Sequence, residues 1–211
     1  MSCLVSGDRS HWENTYSKKR PEKVSWYEPR PRRSLELIQA TGLGRDAAIL
    51  DVGGGASGLA AQLLAMGYMD LTVADISATA LAHAKAELAG DAAKVCWVEA
   101  DVRTHNFGRL YDLWHDRAVF HFMVSPADRT CYLNVLCRTL RPGGHLIIAT
   151  FGPRGPTQCS GLPVERYSAD ELQRALGEDF ELASSSLAVH RTPSGASQQF
   201  LYAHLLRRPR D

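Results

Sequence analysis

Ala48-Ile49-Leu50-Asp51-Val52-Gly53-Gly54-Gly55-Ala56-Ser57-Gly58 is the stretch from which the fold can be read. Its apolar run, Ile49, Leu50 and Val52, stops abruptly in three glycines. A helix-like segment follows at residues 59–66, apolar or small at almost every position. A strand that enters a helix through a glycine turn lets a ligand approach the backbone beyond the strand's carboxyl end. Gly53, Gly55 and Gly58 fit the spacing G-x-G-x-x-G, which alone is weak evidence because several kinds of nucleotide-cofactor fold share it.

Downstream, residues 70–75 (Asp-Leu-Thr-Val-Ala-Asp) read as a short strand ending in an acid. Ser77 is placed to cap an alanine-rich helix over residues 78–89, with Gly90 closing it. Residues 94–99 make a third strand, followed by Ala100-Asp101-Val102, and residues 110–115 a fourth. A helix over 126–140 meets Arg141-Pro142-Gly143-Gly144, a stop-and-turn signal, and residues 145–150 form a fifth strand. This alternation implies a parallel sheet with helices on both faces. After a helix over 168–176, capped by Ser168 with Glu171 at its third position, two strand-like runs follow at 180–189 and 198–206. The four residues 192–195 between those runs cannot hold a helical crossover, so the pair should be antiparallel. The expectation is an α/β, Rossmann-like, doubly wound seven-stranded sheet, mostly parallel, with an antiparallel C-terminal hairpin.

Upstream, residues 1–47 contain His11, Trp12, Tyr16, Trp26 and Tyr27 but no strand of their own. Ser10 and Glu13 could form a capping box for a helix over 11–19. Pro21, Pro29 and Pro31 then break regularity before a helix over 34–41 that Gly42 ends. The segment reads either as a cap on the core or as a lid whose aromatics wall a ligand site. One domain is expected over 1–211: cap or lid 1–47, cofactor-binding core 48–150, and C-terminal helix and hairpin 151–211.

Composition narrows the class. The chain has 211 residues, 45% hydrophobic and 22% charged, which is ordinary for a soluble globular protein. A formal net charge of +1 gives no reason to expect nucleic acid as a partner. Basic clusters at 18–20, 30–33 and 207–210 read as solvated surface. The five cysteines, Cys3, Cys96, Cys131, Cys137 and Cys159, form no C-x-x-C pair, which fits a reducing compartment rather than a disulfide framework. No signal peptide and no apolar run near the ~20 residues of a membrane span are evident, so a cytoplasmic protein without membrane contact is expected. The eight histidines lack metal-ligand spacing, so no metal is expected. Oligomeric state stays open.

The ordered succession Leu50-Asp51-Val52-Gly53-Gly54-Gly55, Val73-Ala74-Asp75-Ile76-Ser77, Ala100-Asp101-Val102, Tyr111-Asp112-Leu113 and Leu140-Arg141-Pro142-Gly143-Gly144 resembles the motifs of class I S-adenosylmethionine (SAM)-dependent methyltransferases. His11-Trp12, Tyr16, Val24-Ser25-Trp26-Tyr27 and the run His115 to His121 look more narrowly like small bacterial members close to the methyltransferase-like proteins. Many relatives have Cys and Thr-Gly where this chain has Gly54 and Ala56-Ser57, positions that mainly shape the turn. The resemblance implies SAM as methyl donor and S-adenosylhomocysteine as product. A dinucleotide enzyme would share the glycines and Asp75, but not Asp101, the aromatic amino-terminal segment or the terminal hairpin.

The chemistry of SAM agrees with these positions. Asp75, ending the second strand, can accept both ribose hydroxyls, and Asp101 the adenine amine. Ile76 and Val102 would sandwich the adenine. Gly53, Gly54 and Gly55 let the backbone close on the amino-acid end, while Asp51 holds the turn or faces the ammonium. Trp12, Tyr16 and Trp26 would wall the sulfonium, Arg20 would reach the carboxylate, and His115 lies close to the cofactor. Transfer requires alignment and exclusion of water, with a base only where the nucleophile starts protonated. Asp116, His121 and His115 are the candidate catalytic residues, His121 or Asp116 as base. Neither Asn-Pro-Pro-Tyr nor Pro-Cys follows the fourth strand, which argues against adenine, glutamine-amide and cytosine carbon-5 acceptors. A small molecule or a protein lysine remains. The alternative is a non-catalytic SAM-binding module acting through a protein partner.

Overall fold

The computed structural model describes residues 8–209. Cys3, the start of the amino-terminal cap or lid, and Arg210 of the terminal basic cluster lie outside the described residues. Strand β1 (Ala48–Val52) is buried at all five positions. Side chains alternate across a strand, and the two faces of β1 enter different cores. Ile49 packs with Leu35 and Ile38 of helix α2 (Arg32–Ala40) and with Leu59 and Leu63 of α3 (Leu59–Ala65). Leu50 and Val52 join the opposite core with Trp114 and Tyr132. Burial on both faces makes β1 the centre of the molecule, as its apolar run predicts.

Helix α1 (Arg9–Lys18) precedes α2. After α3 come β2 (Asp70–Asp75), α4 (Ala78–Leu88), β3 (Val95–Glu99), β4 (Tyr111–Arg117), α5 (Pro126–Thr139) and β5 (Leu140–Phe151). A two-residue ribbon, β6 (Gln158–Cys159) with β7 (Leu162–Pro163), leads to α6 (Ala169–Leu176), β8 (Phe180–Arg191) and β9 (Ser197–Arg207). The seven-stranded sheet has the order β3-β2-β1-β4-β5-β9-β8. The first five strands pair in parallel, and β9 runs antiparallel to both β5 and β8. This is the Rossmann-like sheet with a terminal hairpin. Its order reverses between β1 and β4, so a crevice opens at their carboxyl ends.

Several local expectations need correction. Asp8, not Ser10, caps α1: its carboxylate accepts from the His11 N–H at 2.9 Å, and Ser10 donates its hydroxyl to the same oxygen. Glu13 closes no capping box; it accepts from the backbone and hydroxyl of Thr79, fastening α1 to α4. Helix α4 ends on Ala89 at φ +49°, not on Gly90, and a 3-10 turn follows. The segment Arg141-Pro142-Gly143-Gly144 does not separate helix from strand. Pairing jumps from Tyr111↔Leu140 to Leu113↔His145, so these residues bulge opposite Asp112, which pairs with Arg141 at 2.6 Å. Ser77 and the Ser168–Glu171 capping box stand where expected.

Candidate active site

The carboxyl ends of β1, β2, β3 and β4 open into a cleft of about 800 Å³ including its mouth. Val52 and Gly53 floor it, Asp75, Ile76, Asp101 and Val102 line one side, and Trp12, Tyr16 and Trp26 cover it. A second lobe of about 510 Å³ shares Gly53, Tyr16 and Trp26 and reaches Asp51, Gly54 and His115.

The glycine turn is shaped by its own protein as much as by any ligand. Gly53 sits at φ +66°, and a Cβ there would lie 2.1 Å from Val119 Cγ2. A Cβ on Gly54 would meet Asp51 Oδ2 at 2.2 Å, and one on Gly55 would meet both Ala80 and Asp75 Oδ2 at 2.5 Å. Gly55 lines neither lobe; its N–H donates to Asp75 Oδ2 at 3.0 Å.

Asp75 is buried, and its Oδ1 accepts from the Ser77 N–H at 2.9 Å. Burial pushes its carboxyl up to about 6, against those two backbone donors. Each oxygen keeps acceptor capacity on the cavity side. Asp101 lines the cavity but is clamped by Arg103, whose Nε and Nη2 donate to it at 3.0 and 2.6 Å. Arg103 Nη1 reaches Asp128 at 3.1 Å. Partial burial would raise the Asp101 carboxyl, but the Arg103 fork outweighs it and holds the group below the usual carboxylate range. Arg103, the residue after Ala100-Asp101-Val102, is a cavity residue that the motif reading missed.

Asp51 Oδ1 accepts from His115 Nδ1 at 2.6 Å, and His115 Nε2 meets the Ser34 hydroxyl at 2.9 Å. All three side chains are buried, and Asp51 Oδ2 has no hydrogen-bond partner within the protein. His115 borders the second lobe with both ring nitrogens engaged. That fixes Asp51 and leaves His115 no free nitrogen for an acceptor.

Asp116 and His121 line neither lobe. Asp116 is fully buried and accepts from Tyr132 Oη at 2.6 Å and from the N–H groups of Val119 and Phe120 at 2.9 and 3.0 Å. It secures the turn after β4, even though burial lifts its carboxyl to about 6. His121 is also fully buried; its Nδ1 accepts from the Phe151 N–H at 3.4 Å, and burial, with Arg117 nearby, pushes it down to about 3. Neither is within reach of the cavity as a base, contrary to the expectation from sequence. Arg20 and Lys19 are exposed, and Arg20 does not line the cavity.

Besides Arg103, the cation that lines the cavity is Arg117, at the end of β4. Its Nη1 donates to the Trp26 carbonyl at 2.8 Å, Nε to Tyr202 Oη at 3.1 Å, and Nη2 pairs with Glu28 at 2.9 Å. Glu28 also meets His190 Nδ1 at 3.2 Å, and His190 Nε2 contacts the Ser25 carbonyl at 2.8 Å. These contacts tie residues 25–28 to β4, β8 and β9 directly over the cleft. Phe122, Met123 and Cys159 complete the wall. Burial pushes the Cys159 thiol up to about 12. Ala118, also lining, takes φ +71°, a left-handed conformation rare for a residue with a Cβ.

Among the described residues, no His, Cys, Asp and Glu side chains gather into a group that could hold a metal. No helix there is long and apolar enough to cross a membrane. The donor set fits SAM: the unpartnered Asp51 oxygen suits an ammonium, the remaining acceptor capacity of Asp75 a ribose diol, and Ile76 and Val102 an adenine face.

Comparison with known proteins agrees. The sequence model of a family described as a methyltransferase domain matches residues 49–144. A search of curated protein sequences finds no match. Among solved structures, one concerned with conversion of a disulfide bond into a thioacetal group during echinomycin biosynthesis superposes with a TM-score of 0.77 at 22% identity, covering 95% of this chain and 93% of that one. The Burkholderia thailandensis 1,6-didemethyltoxoflavin-N1-methyltransferase, with 1,6-didemethyltoxoflavin and S-adenosylhomocysteine bound, gives 0.75 at 20% identity, covering 99% and 94%. The N-methyltransferase NodS of Bradyrhizobium japonicum WM9, in complex with S-adenosylhomocysteine, gives 0.70 at 17% identity, covering 93% and 98%. The methyltransferase-domain match over residues 49–144, the ordered motifs and this sheet together support a class I SAM-dependent methyltransferase.

Proposed function

We propose that this enzyme moves the methyl group of SAM to a small-molecule acceptor bound beneath the amino-terminal segment. When bound, SAM supplies a methyl carbon activated by positively charged sulfur. The protein's part is to hold and orient. Asp75 receives the ribose hydroxyls, and Ile76 and Val102 flank the adenine. Asp51, fixed by His115 and Ser34, offers its unpartnered oxygen to the ammonium beside the Gly53–Gly54 turn. Asp101 takes part with its clamp, Arg103, as the polar edge near the adenine amine. Trp12, Tyr16 and Trp26 shut out water, which strengthens every polar contact within.

The observation that carries this reading is the unpartnered Asp51 Oδ2, a buried acceptor bordering the cleft. Among the unpartnered buried side-chain atoms of the described residues it is the one carboxylate oxygen, the group that gains most from a charged donor. A small acceptor is favoured over a protein side chain because α1 and residues 24–28 roof the cleft. Three structural neighbours whose names state an activity are N-methyltransferases, one with a bound heterocycle and one acting on glycopeptides. Calorimetry should give S-adenosylhomocysteine binding that Asp51→Asn weakens about tenfold, the value of a charged hydrogen bond. Incubating radiolabelled SAM with cell extract should then place label in the low-molecular-mass fraction. Absence of binding, or label only in protein, refutes the reading.

A further inference from the structure

We propose that the part of the cleft walled by Trp12, Trp26, Phe122, Met123 and Cys159 is an acceptor site for a neutral, planar nitrogen heterocycle, methylated on a ring nitrogen without a protein base. This rests on the methyl-transfer reading above and gives its substrate a chemical class.

The walls come first. Trp12 stands edge-on to Trp26, with ring centroids 5.8 Å apart and planes at 80°, and edge-on to Phe122 at 5.1 Å and 77°. Two rings set nearly perpendicular to Trp12 make an aromatic wall, and Met123 and Cys159 line the same cavity with sulfur. Flat aromatic guests suit such a wall because they can lie on one face while presenting an edge to the next. Sulfur beside an aromatic ring adds further contact energy.

The charges come second. The titratable side chains lining the first lobe are Tyr16, Asp75, Asp101, Arg103, Arg117 and Cys159. The second lobe adds Tyr27, a neutral phenol; Glu28, paired with Arg117 and His190; His115, with both nitrogens engaged; and Asp51, assigned to the ammonium. Asp101 is forked by Arg103, and Arg117, which donates to Trp26 and Tyr202 and forms an ion pair with Glu28, is a guanidinium that takes no proton. Asp75 holds the glycine turn and is assigned to the ribose. Tyr16 and Cys159 are buried neutral donors. No free base faces the acceptor. A phenol, alcohol, thiol or ammonium must lose a proton to become nucleophilic, and nothing on these walls takes it.

A ring nitrogen with an in-plane lone pair has no such need. Its lone pair forms the new nitrogen–carbon bond, the carbon–sulfur bond breaks with its electron pair returning to sulfur, and the positive charge passes to the acceptor. No proton is left to place. The charge then lies among ring faces that attract cations.

The test uses the whole chain with three probes: quinoline, 2-naphthol and 1-methylquinolinium. With S-adenosylhomocysteine saturating, quinoline should quench tryptophan fluorescence and bind at least tenfold tighter than 2-naphthol of the same shape, and 1-methylquinolinium should bind as product. Trp12→Ala should weaken quinoline at least tenfold. Met123→Lys, which keeps α1 and its contacts, should weaken quinoline equally by placing a cation in the cavity. With SAM, formation of 1-methylquinolinium should be flat from pH 7 to 9, where quinoline is unprotonated. Quinoline binding no tighter than 2-naphthol, or a rate that climbs tenfold per pH unit, overturns the proposal while leaving methyl transfer standing. Failure to bind S-adenosylhomocysteine would instead remove the methyl-transfer reading beneath it.

Discussion

Acidification from pH 7 to pH 5 should weaken binding of S-adenosylhomocysteine and of adenosine about tenfold, with Asp75 as the responsible group. Burial lifts its carboxyl to about 6. One backbone N–H on each oxygen, from Gly55 and Ser77, leaves acceptor capacity toward the cleft. The ionised form receives the ribose hydroxyls, so protonation competes with the ligand. About nine in ten molecules carry the carboxylate at pH 7 and about one in ten at pH 5, a loss of about 1.4 kcal/mol in binding. The sign follows from the raised carboxyl: affinity is full above about 6 and falls as pH drops through it. Asp75→Asn should cost more than tenfold at pH 7, on the order of 1.5–3 kcal/mol, and flatten the profile. Adenosine carries no amino-acid end, so calorimetry with it at pH 5, 6, 7 and 8 isolates this contact. Asp116 titrates at about 6 as well but lies off the cleft, so folded Asp116→Asn should keep the profile. Constant wild-type affinity across this range, or wild-type affinity in Asp75→Asn, would refute the assignment.

Other perturbations follow from the same contacts. His115→Asn removes the ring that joins Asp51 to Ser34; calorimetry should find S-adenosylhomocysteine weakened about tenfold and adenosine little changed, and equal losses for both would contradict a role at the amino-acid end. Gly53→Val collides with Val119 and requires φ +66°, so thermal unfolding should report a loss of at least about 2 kcal/mol before any ligand is added; a wild-type melting temperature would count against the turn's geometry. Glu28→Gln weakens its ion pairs with Arg117 and His190, so backbone amides across residues 25–28 should exchange faster, and S-adenosylhomocysteine should slow exchange across 10–30 in the wild type. Ligand-independent exchange there would make the segment a passive cap.

Most of the fold was legible because it depends on patterns local in the chain. Ile49, Leu50 and Val52 alternate between two cores, Ser77 caps the helix that starts beside it, and 192–195 is too short for a crossover. Motif spacing likewise brought Asp51, Gly53, Asp75, Ile76, Asp101 and Val102 to one end of the sheet. What escaped depends on partners far along the chain. Asp116 near the end of β4 and His121 just beyond it stand at the right place for chemistry, yet Tyr132, sixteen residues on, and Phe151, thirty residues on, claim them. Arg20 belongs to the basic cluster of the amino-terminal segment, whereas the cations that line the cavity are Arg103 and Arg117, the latter held there by Trp26, Tyr202 and Glu28. Ser10 lost the cap of α1 to Asp8, whose carboxylate is the stronger acceptor and draws the serine hydroxyl to itself.

Three acids from the carboxyl-terminal parts of adjacent strands show how such a site can be separated from its scaffold. Asp51, Asp75 and Asp116 lie in β1, β2 and β4, and all are buried. For Asp75 and Asp116, burial raises the carboxyl to about 6, so their ionised forms oppose folding at neutral pH on the order of 3 kcal/mol each. Their contribution to stability is therefore full below about 4 and is lost as pH rises through about 6. Asp116 takes all its donors from the chain, a phenol and two backbone N–H groups, and its raised carboxyl is what remains after they have favoured the ionised form. Asp75 is only half provided for, with one backbone donor per oxygen, and Asp51 Oδ2 has none. A fold keeps a buried acceptor short of donors when something else delivers them, and the two deficient acids are the two that border the cleft. Incomplete satisfaction, rather than burial or a raised carboxyl, is what distinguishes the binding acids from the structural one.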